Sequence, residues 1–474
     1  PSTEKLREAL CTVGNGYFAT RGCAPESRAD GVHYPGTYVA GIFNRLDDEV
    51  SGSIVDNESM VNLPNWLPVT FRVDGGQWFD LDSAELLDYH QYLDLRRAVL
   101  TRRLRFRDAA GRTTSVRQRR FVAMNVPHAC ALETTIAAED WSGRLEIRSL
   151  LDGTVRNSLV ERYRALADEH LEPLQSTALS ADSVLLAVQT NQSRIPVAMA
   201  ARHTVWCGGE PVAAECRLVD GGDRIGHEIV VDVDPDRAVT LEKIVTVFTG
   251  RDPAVSEPAD EAARWLPRLG RFDELLDGHV LAWGYLWDHL GIDYEGPGHG
   301  HALRVVRFHL LHLLQTVSAN TTDLDVGVPA RGLHGEAYRG HVFWDELFVF
   351  PVLNLRLPAL TRSLLRYRYR RLREARRMAR EAGHRGAMFP WQSGSDGREE
   401  SPQLHLNPRS GRWNPDPSRR QHHIGIAIAY NVWQYYQVTG DLEFLIEYGA
   451  EMLVEIARFY ADLASYDETR DRYS

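Results

Sequence analysis

The side chains best suited to chemistry stand in one short stretch, ARGLHGEAYRGHVFWDELF, at residues 330–348. An indole ring, Trp344, is followed there by two carboxylates, Asp345 and Glu346, and preceded by two arginines and two histidines. The flat indole face packs against the apolar face of a pyranose ring, and carboxylates accept hydrogen bonds from neighbouring sugar hydroxyls. The alternative is a helix N-terminus, where acidic side chains stabilise the helix dipole and the indole only packs. The stretch by itself leaves both interpretations open.

A second stretch, GAMFPWQSGSDGREES at residues 386–401, combines Trp391 with Asp396, Glu399 and Glu400 on a glycine-rich loop. Glycoside cleavage needs two carboxyl groups across a cleft, one that protonates the leaving oxygen and one that activates a nucleophile. The alternative is a solvated acidic loop. Two loops that each pair a tryptophan with carboxylates favour a carbohydrate-binding site.

A third stretch, RWNPDPSRRQHHIG at residues 412–425, contains two adjacent histidines, His422 and His423. Adjacent residues on a helix point about 100° apart and do not chelate one ion well, so we predict no metal site. The more favourable role is that one of these histidines lines a pocket.

The composition excludes several classes of protein. The formal net charge of −11 leaves no general basic excess to meet phosphates, which argues against a nucleic-acid-binding protein. The one basic run, at residues 362–381, is predicted to be the solvated face of an Arg-rich helix. No apolar run reaches membrane-spanning length, so no membrane partner is expected. The five cysteines are scattered and odd in number, which predicts reduced thiols and a cytoplasmic protein.

The two ends of the sequence predict a fragment of a longer protein. The chain starts at PSTEKLREAL, without Met and inside a helical pattern, and it stops at DETRDRYS just after a predicted helix.

The hydrophobic period changes along the chain. Residues 12–250 show short runs of period two with turn residues between them, which is typical of an antiparallel β-sandwich. From about residue 255 the period becomes that of helices joined by short loops. We therefore predict three parts: a β-sandwich domain at residues 1–255, a helical linker at 256–298 and a helical domain at 299–474.

Five local motifs, spread over residues 7–441, resemble glycoside hydrolase family 65, which contains the maltose, kojibiose and trehalose phosphorylases and the acid trehalases. They are REALCTVGNGYFATRG, DNESMVNLPNW, ARGLHGEAYRGHVFWDELF, GAMFPWQS and HHIGIAIAYNVWQYYQVTGD. The resemblance implies an α+β multidomain fold: an N-terminal antiparallel β-sandwich, a helical linker and the first part of an (α/α)6 barrel. It also implies that Trp344 and Asp345 bind the glucosyl ring of the substrate.

The resemblance implies further site residues. We expect Asp345 to be catalytic, and we expect a set of side chains to contact the substrate: Trp344, Asp345, Glu346, Arg339, His341, Trp391 and His423. The general-acid position of the phosphorylases aligns here with Gln421, whose amide cannot protonate a leaving oxygen. The acids closest to it in the sequence are Asp416 and Glu399, and either is a candidate for that role.

The function that the resemblance implies is an inverting glycoside hydrolase or phosphorylase that acts on an α-glucosyl disaccharide of the trehalose, maltose or kojibiose type. No cofactor is expected, with inorganic phosphate as a possible co-substrate, and a homodimer is possible. The family's phosphate-binding loop would lie beyond residue 474, so the choice between water and phosphate stays open, and the 474-residue chain alone is expected to be inactive. The alternatives are a catalytically silent sugar-binding or regulatory family member, because of Gln421, and another (α/α)6 carbohydrate enzyme with a sandwich in front.

Overall fold

The first half of the chain is built from β-strands. The computed structural model describes residues 3–50, 52–296 and 298–473. The strands of this half are β1 (Val13–Gly14), β2 (Phe18–Thr20), β3 (Thr37–Val39), β4 (Phe43–Val50), β5 (Ser53–Met60), β6 (Val69–Val73), β7 (Glu85–Asp94), β8 (Val99–Arg107), β9 (Thr113–Val122), β10 (Ala129–Ala138), β11 (Gly143–Asp152), β12 (Leu171–Ala178), β13 (Ser183–Thr190), β14 (Pro196–Cys207), β15 (Glu210–Pro211), β16 (Glu215–Asp220), β17 (Arg224–Val233) and β18 (Val239–Thr249).

Most of these strands form two sheets in which every ladder is antiparallel. The larger sheet has the order β12-β13-β14-β18-β10-β9-β8-β7, with β15 paired to β14, and the smaller sheet has the order β16-β17-β11-β6. Strand β11 shows why the sheets face each other: its residues alternate between buried and less buried, and Leu145, Ile147 and Leu151 enter the shared core. The predicted antiparallel β-sandwich is confirmed.

The second half of the chain is mainly helical. The α-helices of the described residues are α1 (Glu4–Leu10), α2 (Pro258–Trp265), α3 (Phe272–Leu290), α4 (His299–Thr316), α5 (Glu346–Arg356), α6 (Pro358–Arg370), α7 (Leu372–Glu381), α8 (Ile424–Thr439), α9 (Leu442–Phe444) and α10 (Ala450–Leu463). Two short hairpins complete the structure: β19 (Leu404–Leu406) with β20 (Trp413–Pro415), and β21 (Tyr466–Asp467) with β22 (Arg472–Tyr473). Helices α2 and α3 cover the outer face of the larger sheet, where Ile244 and Phe248 pack against Ala262 and Phe272. This cover explains why β18 is buried on both faces.

Helices α5 to α8 and α10 share a separate apolar core that includes Phe350, Leu364 and Ile428. The Arg-rich stretch forms two helices, α6 and α7, because the chain leaves helical geometry at Arg371. The prediction of a solvated face is wrong for two of its arginines. Arg368 is 1% exposed and pairs with Glu346. Arg371 is also buried and pairs with the partly exposed carboxylate of Asp325.

Contacts between the two halves fix the stretch at residues 330–348 against the sandwich. The guanidinium of Arg21 donates to the carbonyl of His334 at 2.6 Å. The buried carboxyl of Glu336 accepts hydrogen bonds from the Tyr34 and Tyr38 hydroxyls. Because these partners come from β3 and the loops beside it, the sandwich determines where this stretch lies.

The hairpin of β4 and β5 also reaches the helical half. Arg45 on β4 binds the Glu400 carboxylate with two hydrogen bonds, and the backbone N–H of Ser395 donates to Glu58 on β5 at 2.8 Å.

None of the described helices is both long and apolar enough to cross a membrane. All five cysteines are free thiols.

Candidate active site

A cavity of about 370 Å³ lies between the sandwich and the helical half. Its walls come from the β4–β5 hairpin, from the loop that holds residues 162–166, from residues 330–345 and from the loops at 391–418. This volume falls in the range of small-molecule binding sites. The three stretches that the sequence singled out, at residues 330–348, 386–401 and 412–425, therefore meet at one cavity.

Asp345 lines this cavity at the position just before helix α5. An acid at that position commonly accepts a hydrogen bond from the first turn of the helix. The Asp345 side chain makes no such capping bond, and its backbone carbonyl accepts the N–H of Phe348 at 2.9 Å instead. The carboxylate is thus available to a molecule in the cavity.

Trp344 and Trp391 form an aromatic wall beside Asp345. Their ring centroids lie 6.2 Å apart with planes inclined by 33°, and both residues line the cavity. The ring of His423, just before α8, lies 4.7 Å from Trp391 and 5.6 Å from Trp344. Trp344 keeps 37% of its surface exposed, so an indole face or edge is accessible to a sugar ring.

Glu346 does not line the cavity, which corrects its predicted role in substrate binding. It stands in the first turn of α5, about 100° around the helix from Asp345, and is 1% exposed. Its Oε2 accepts from Arg368 Nε at 3.1 Å and Nη2 at 2.9 Å, and its Oε1 accepts the N–H of Val328 at 3.3 Å. Burial raises the pKa of Glu346, against the opposing effect of Arg368. The residue anchors the helix and does not contact the cavity.

His341 is also behind the cavity wall, and its predicted contact with substrate is corrected in the same way. The ring is fully buried, with Nδ1 3.1 Å from Gln392 Oε1 and Nε2 3.0 Å from the Glu58 carbonyl. Burial lowers the pKa of His341 to about 4, so the ring is neutral at physiological pH. Its contact with Gln392 positions that side chain, which lines the cavity.

Of the two candidate acids, Asp416 lines the cavity and Glu399 does not. Asp416 Oδ1 accepts the N–H of Ser418 at 3.0 Å, and its Oδ2 lies 3.3 Å from His405 Nδ1. The Glu399 carboxylate accepts backbone N–H groups of its own loop, from Trp391 at 2.7 Å and from Ser401 at 2.8 Å. Glu399 therefore shapes the loop that carries Trp391, which corrects its candidacy as a proton donor.

Gln421 is exposed and does not line the cavity. It follows the short helical turn Pro417–Arg420, and its backbone N–H donates to the carbonyl of Ser418 at 2.9 Å. The residue at the expected general-acid position thus has neither a transferable proton nor a place in the cavity wall of the described chain.

Arg339, which the resemblance predicts to contact the substrate, lines the cavity and is 8% exposed. Its Nη1 donates to Ser59 Oγ at 2.8 Å, and its guanidinium carbon lies 4.3 Å from the ring centroid of Tyr163. Burial lowers the pKa of Arg339 below its usual range.

Sequence reasoning missed the contribution of the sandwich to this cavity. The missed residues that line it are Val50, Val55, Asn57, Arg162, Tyr163 and Arg331. Except for Asn57, which lies in the motif DNESMVNLPNW, and Arg331, which belongs to the quoted stretch, no local motif marks them. They reach the cavity through contacts between segments far apart in the chain.

The described residues also hold a cluster with metal-ligand chemistry, Glu58, His341 and Glu400, behind the cavity wall. Its donor atoms are already engaged: Arg45 binds Glu400, Ser395 binds Glu58, and both nitrogens of His341 have partners. The geometry therefore describes a buried polar bridge between the two halves.

Comparisons with known proteins agree with this architecture. The family described as "Glycosyl hydrolase family 65, N-terminal domain" matches residues 1–286, and "Glycosyl hydrolase family 65 central catalytic domain" matches residues 307–474. A putative kojibiose phosphorylase from human microbiome, of known structure, superposes with a TM-score of 0.84 at 19% identity over 100% of this chain and 60% of that one. This likeness shows the fold.

Two relatives in sequence are informative. An uncharacterized glycosyl hydrolase of Mycobacterium tuberculosis is 59% identical over 100% of this chain and 35% of its own length. The trehalose 6-phosphate phosphorylase of Lactococcus lactis is 33% identical over 97% of this chain and 57% of its own length. The chain thus spans about a third of the first relative and less than three-fifths of the second.

Proposed function

The chain belongs to glycosyl hydrolase family 65, and from this premise we propose that its cavity binds the glucosyl ring of an α-glucosyl disaccharide whose glycosidic bond the full-length protein cleaves with inversion. The observation that carries the proposal is the position of Asp345. A carboxylate at a helix start forgoes the capping bond and faces a cavity walled by two tryptophans.

Each side chain has a task in this proposal. The indoles of Trp344 and Trp391 pack against the apolar face of the glucosyl ring. The Asp345 carboxylate accepts hydrogen bonds from its hydroxyls, and such charge-assisted bonds are stronger than neutral ones. Asp416, the other acid that lines the cavity, is the candidate donor of the proton to the leaving oxygen.

Inversion requires that the nucleophile attack the face of the sugar opposite the leaving group. With water as nucleophile, a second carboxylate must accept its proton, and the two carboxyl groups stand roughly 6.5–9.5 Å apart. With phosphate as nucleophile, the phosphate is already an anion. Relatives named as phosphorylases support phosphorolysis, with inorganic phosphate as co-substrate.

Gln421 favours a second candidate function, a sugar-binding protein without catalysis. An amide at the general-acid position supplies no proton, and the side chain stands outside the cavity wall. Under this candidate, the cavity binds the glucoside through the same residues, Trp344 and Asp345, and Asp416 transfers no proton.

The test uses the full-length protein with trehalose, maltose and kojibiose, each with and without inorganic phosphate. We expect proton NMR to show β-glucose 1-phosphate in the presence of phosphate, with the inverted anomer as the first product. Free β-glucose without phosphate would assign hydrolysis. Binding of a disaccharide without any product would favour the second candidate, and the absence of both binding and cleavage would contradict the proposal.

A further inference from the structure

Arg339 is a buried cation that faces the cavity without a carboxylate partner. It is 8% exposed, and its side-chain contacts are the Ser59 hydroxyl at 2.8 Å and the Tyr163 ring. Among the described residues it forms no ion pair, and Asp48 and Glu400 act on it only at longer range. An uncompensated buried charge is strongly destabilising. An anion in the cavity would remove that penalty.

Two more arginines line the same cavity. Arg162 and Arg331 are exposed, and neither forms an ion pair with any part of the chain that the structure describes. The acids that line the cavity are Asp345 and Asp416, and Asp416 is already in contact with His405 and Ser418. The cavity therefore holds more positive than negative charge.

The backbone at Arg339 is strained. Tyr338 and Arg339 have φ angles of 53° and 55°, a left-handed conformation that costs roughly 1–2 kcal/mol for each L-residue. Backbone bonds hold the turn, from Arg339 N–H to the Glu336 carbonyl at 2.9 Å and from His341 N–H to the Tyr338 carbonyl at 3.0 Å. Strain of this kind persists where surrounding contacts impose it, often at binding sites.

We propose that the sugar bound in this cavity carries a phosphate monoester, whose oxygens are bound by Arg339 together with Arg162 and Arg331. The inference rests on the proposed function, because it names the class of glucoside that the same cavity binds. A guanidinium offers paired N–H donors in a plane that match two phosphate oxygens. A phosphate monoester carries more than one negative charge at neutral pH, which a cavity with three arginines compensates. Free inorganic phosphate presents the same oxygens, and the test distinguishes its binding from that of a phosphorylated sugar.

The test compares matched sugars by calorimetric titration of the full-length protein: trehalose with trehalose 6-phosphate, and maltose with maltose 6′-phosphate. We expect at least one phosphorylated sugar to bind more than about tenfold tighter than its neutral parent. Arg339→Gln should abolish this difference, so that the phosphorylated sugar binds no tighter than its neutral parent. Arg339→Lys should retain part of the difference, because it keeps the charge and loses the planar fork.

Two further variants keep the test decisive if Arg339→Gln does not fold. Arg162→Gln and Arg331→Gln change exposed side chains, and the double variant should reduce the preference for the phosphorylated sugar. Arg373→Gln, an exposed arginine of α7 outside the cavity, is the matched control and should leave every affinity unchanged.

Three results would overturn the inference. Equal affinity for the neutral and phosphorylated sugars would show that the cavity does not bind a phosphate group on the sugar. The proposed function would be unaffected by that result. Failure of every sugar to bind would overturn the proposed function as well. Inorganic phosphate that binds alone as tightly as the phosphorylated sugar, and loses affinity equally in Arg339→Gln, would assign the arginines to free phosphate.

Discussion

Glu346 and Arg368 form a fully buried ion pair, with Arg368 Nη2 2.9 Å from Glu346 Oε2 and side chains that are 2% and 1% exposed. The pair lies one residue from Asp345, the carboxylate that faces the cavity. A helix fixed at its first turn by this pair holds Asp345 in place without using the Asp345 side chain.

Glu346→Gln should destabilise the protein. The substitution leaves the Arg368 charge buried without its counter-charge, which costs about 3–5 kcal/mol. The measurement is the free energy of unfolding in urea, followed by circular dichroism of the helices. Glu381→Gln is the control, because it breaks the exposed Arg377–Glu381 pair and should cost less than about 0.5 kcal/mol. Equal effects of the two substitutions would show that the buried pair does not anchor α5.

The stability of the protein should fall as the pH rises, through the buried carboxyl of Glu336. Burial raises the pKa of Glu336 from 4.5 to about 7, so the folded state holds this proton more tightly than the unfolded state does. The contribution is therefore complete below about pH 4.5 and is lost as the pH rises through about 7. Its upper limit is about 3 kcal/mol, since each pKa unit corresponds to about 1.4 kcal/mol.

Glu336→Gln isolates this effect, because the amide imitates the uncharged carboxyl. The pH dependence of the urea midpoint should be flatter in the variant than in the parent between pH 5 and 8. Parallel curves for the two proteins would mean that Glu336 ionises in the folded state as it does in water.

Trp344→Ala should weaken the binding of a disaccharide by about tenfold, which is about 1.4 kcal/mol. The substitution removes an indole face from the cavity wall and leaves Asp345 in place. Trp265 on α2 is a matched control, since it is also 37% exposed and lies outside the cavity. Calorimetric titration of Trp344→Ala and Trp265→Ala checks the prediction. A loss of the same size in both would exclude Trp344 as a specific contact.

If the full-length protein is an enzyme, Asp416→Asn should reduce kcat by about a hundredfold or more, as loss of a proton donor does. Gln421→Ala should leave kcat within about threefold, because Gln421 lies outside the cavity wall and has no proton to give. Steady-state kinetics with the preferred disaccharide measures both. A larger loss of kcat in Gln421→Ala than in Asp416→Asn would assign the catalytic role to Gln421 instead of Asp416.

Periodicity was sufficient to predict the sandwich and the helical half, because burial of one face imposes period two on strands such as β11 and period 3.6 on helices. It was not sufficient to separate neighbours in one loop. Asp345 and Glu346 are adjacent acids, yet the first turn of α5 directs one to the cavity and the other to Arg368. The difference arises from a partner 22 residues away, which the local pattern does not contain.

The sandwich side of the cavity could not be predicted for a related reason. Arg339 meets Ser59 across 280 residues of sequence, and His341 meets the Glu58 carbonyl across 283. Such contacts depend on how the two halves dock. Strand β5 of the β4–β5 hairpin carries the start of the motif DNESMVNLPNW, but no local pattern places this hairpin in the wall of the cavity.

The most direct test of the central claim is the affinity of the cavity for a disaccharide when Asp345 alone loses its charge. Calorimetric titration should show that Asp345→Asn weakens binding by more than about tenfold, since charged hydrogen bonds contribute about 1.5–3 kcal/mol each. Asp396→Asn, in the exposed part of the neighbouring loop, should change the affinity by less than about twofold. An Asp345→Asn variant that binds the sugar as the parent does, with an unchanged circular dichroism spectrum, would contradict the claim that this carboxylate holds the glucosyl ring.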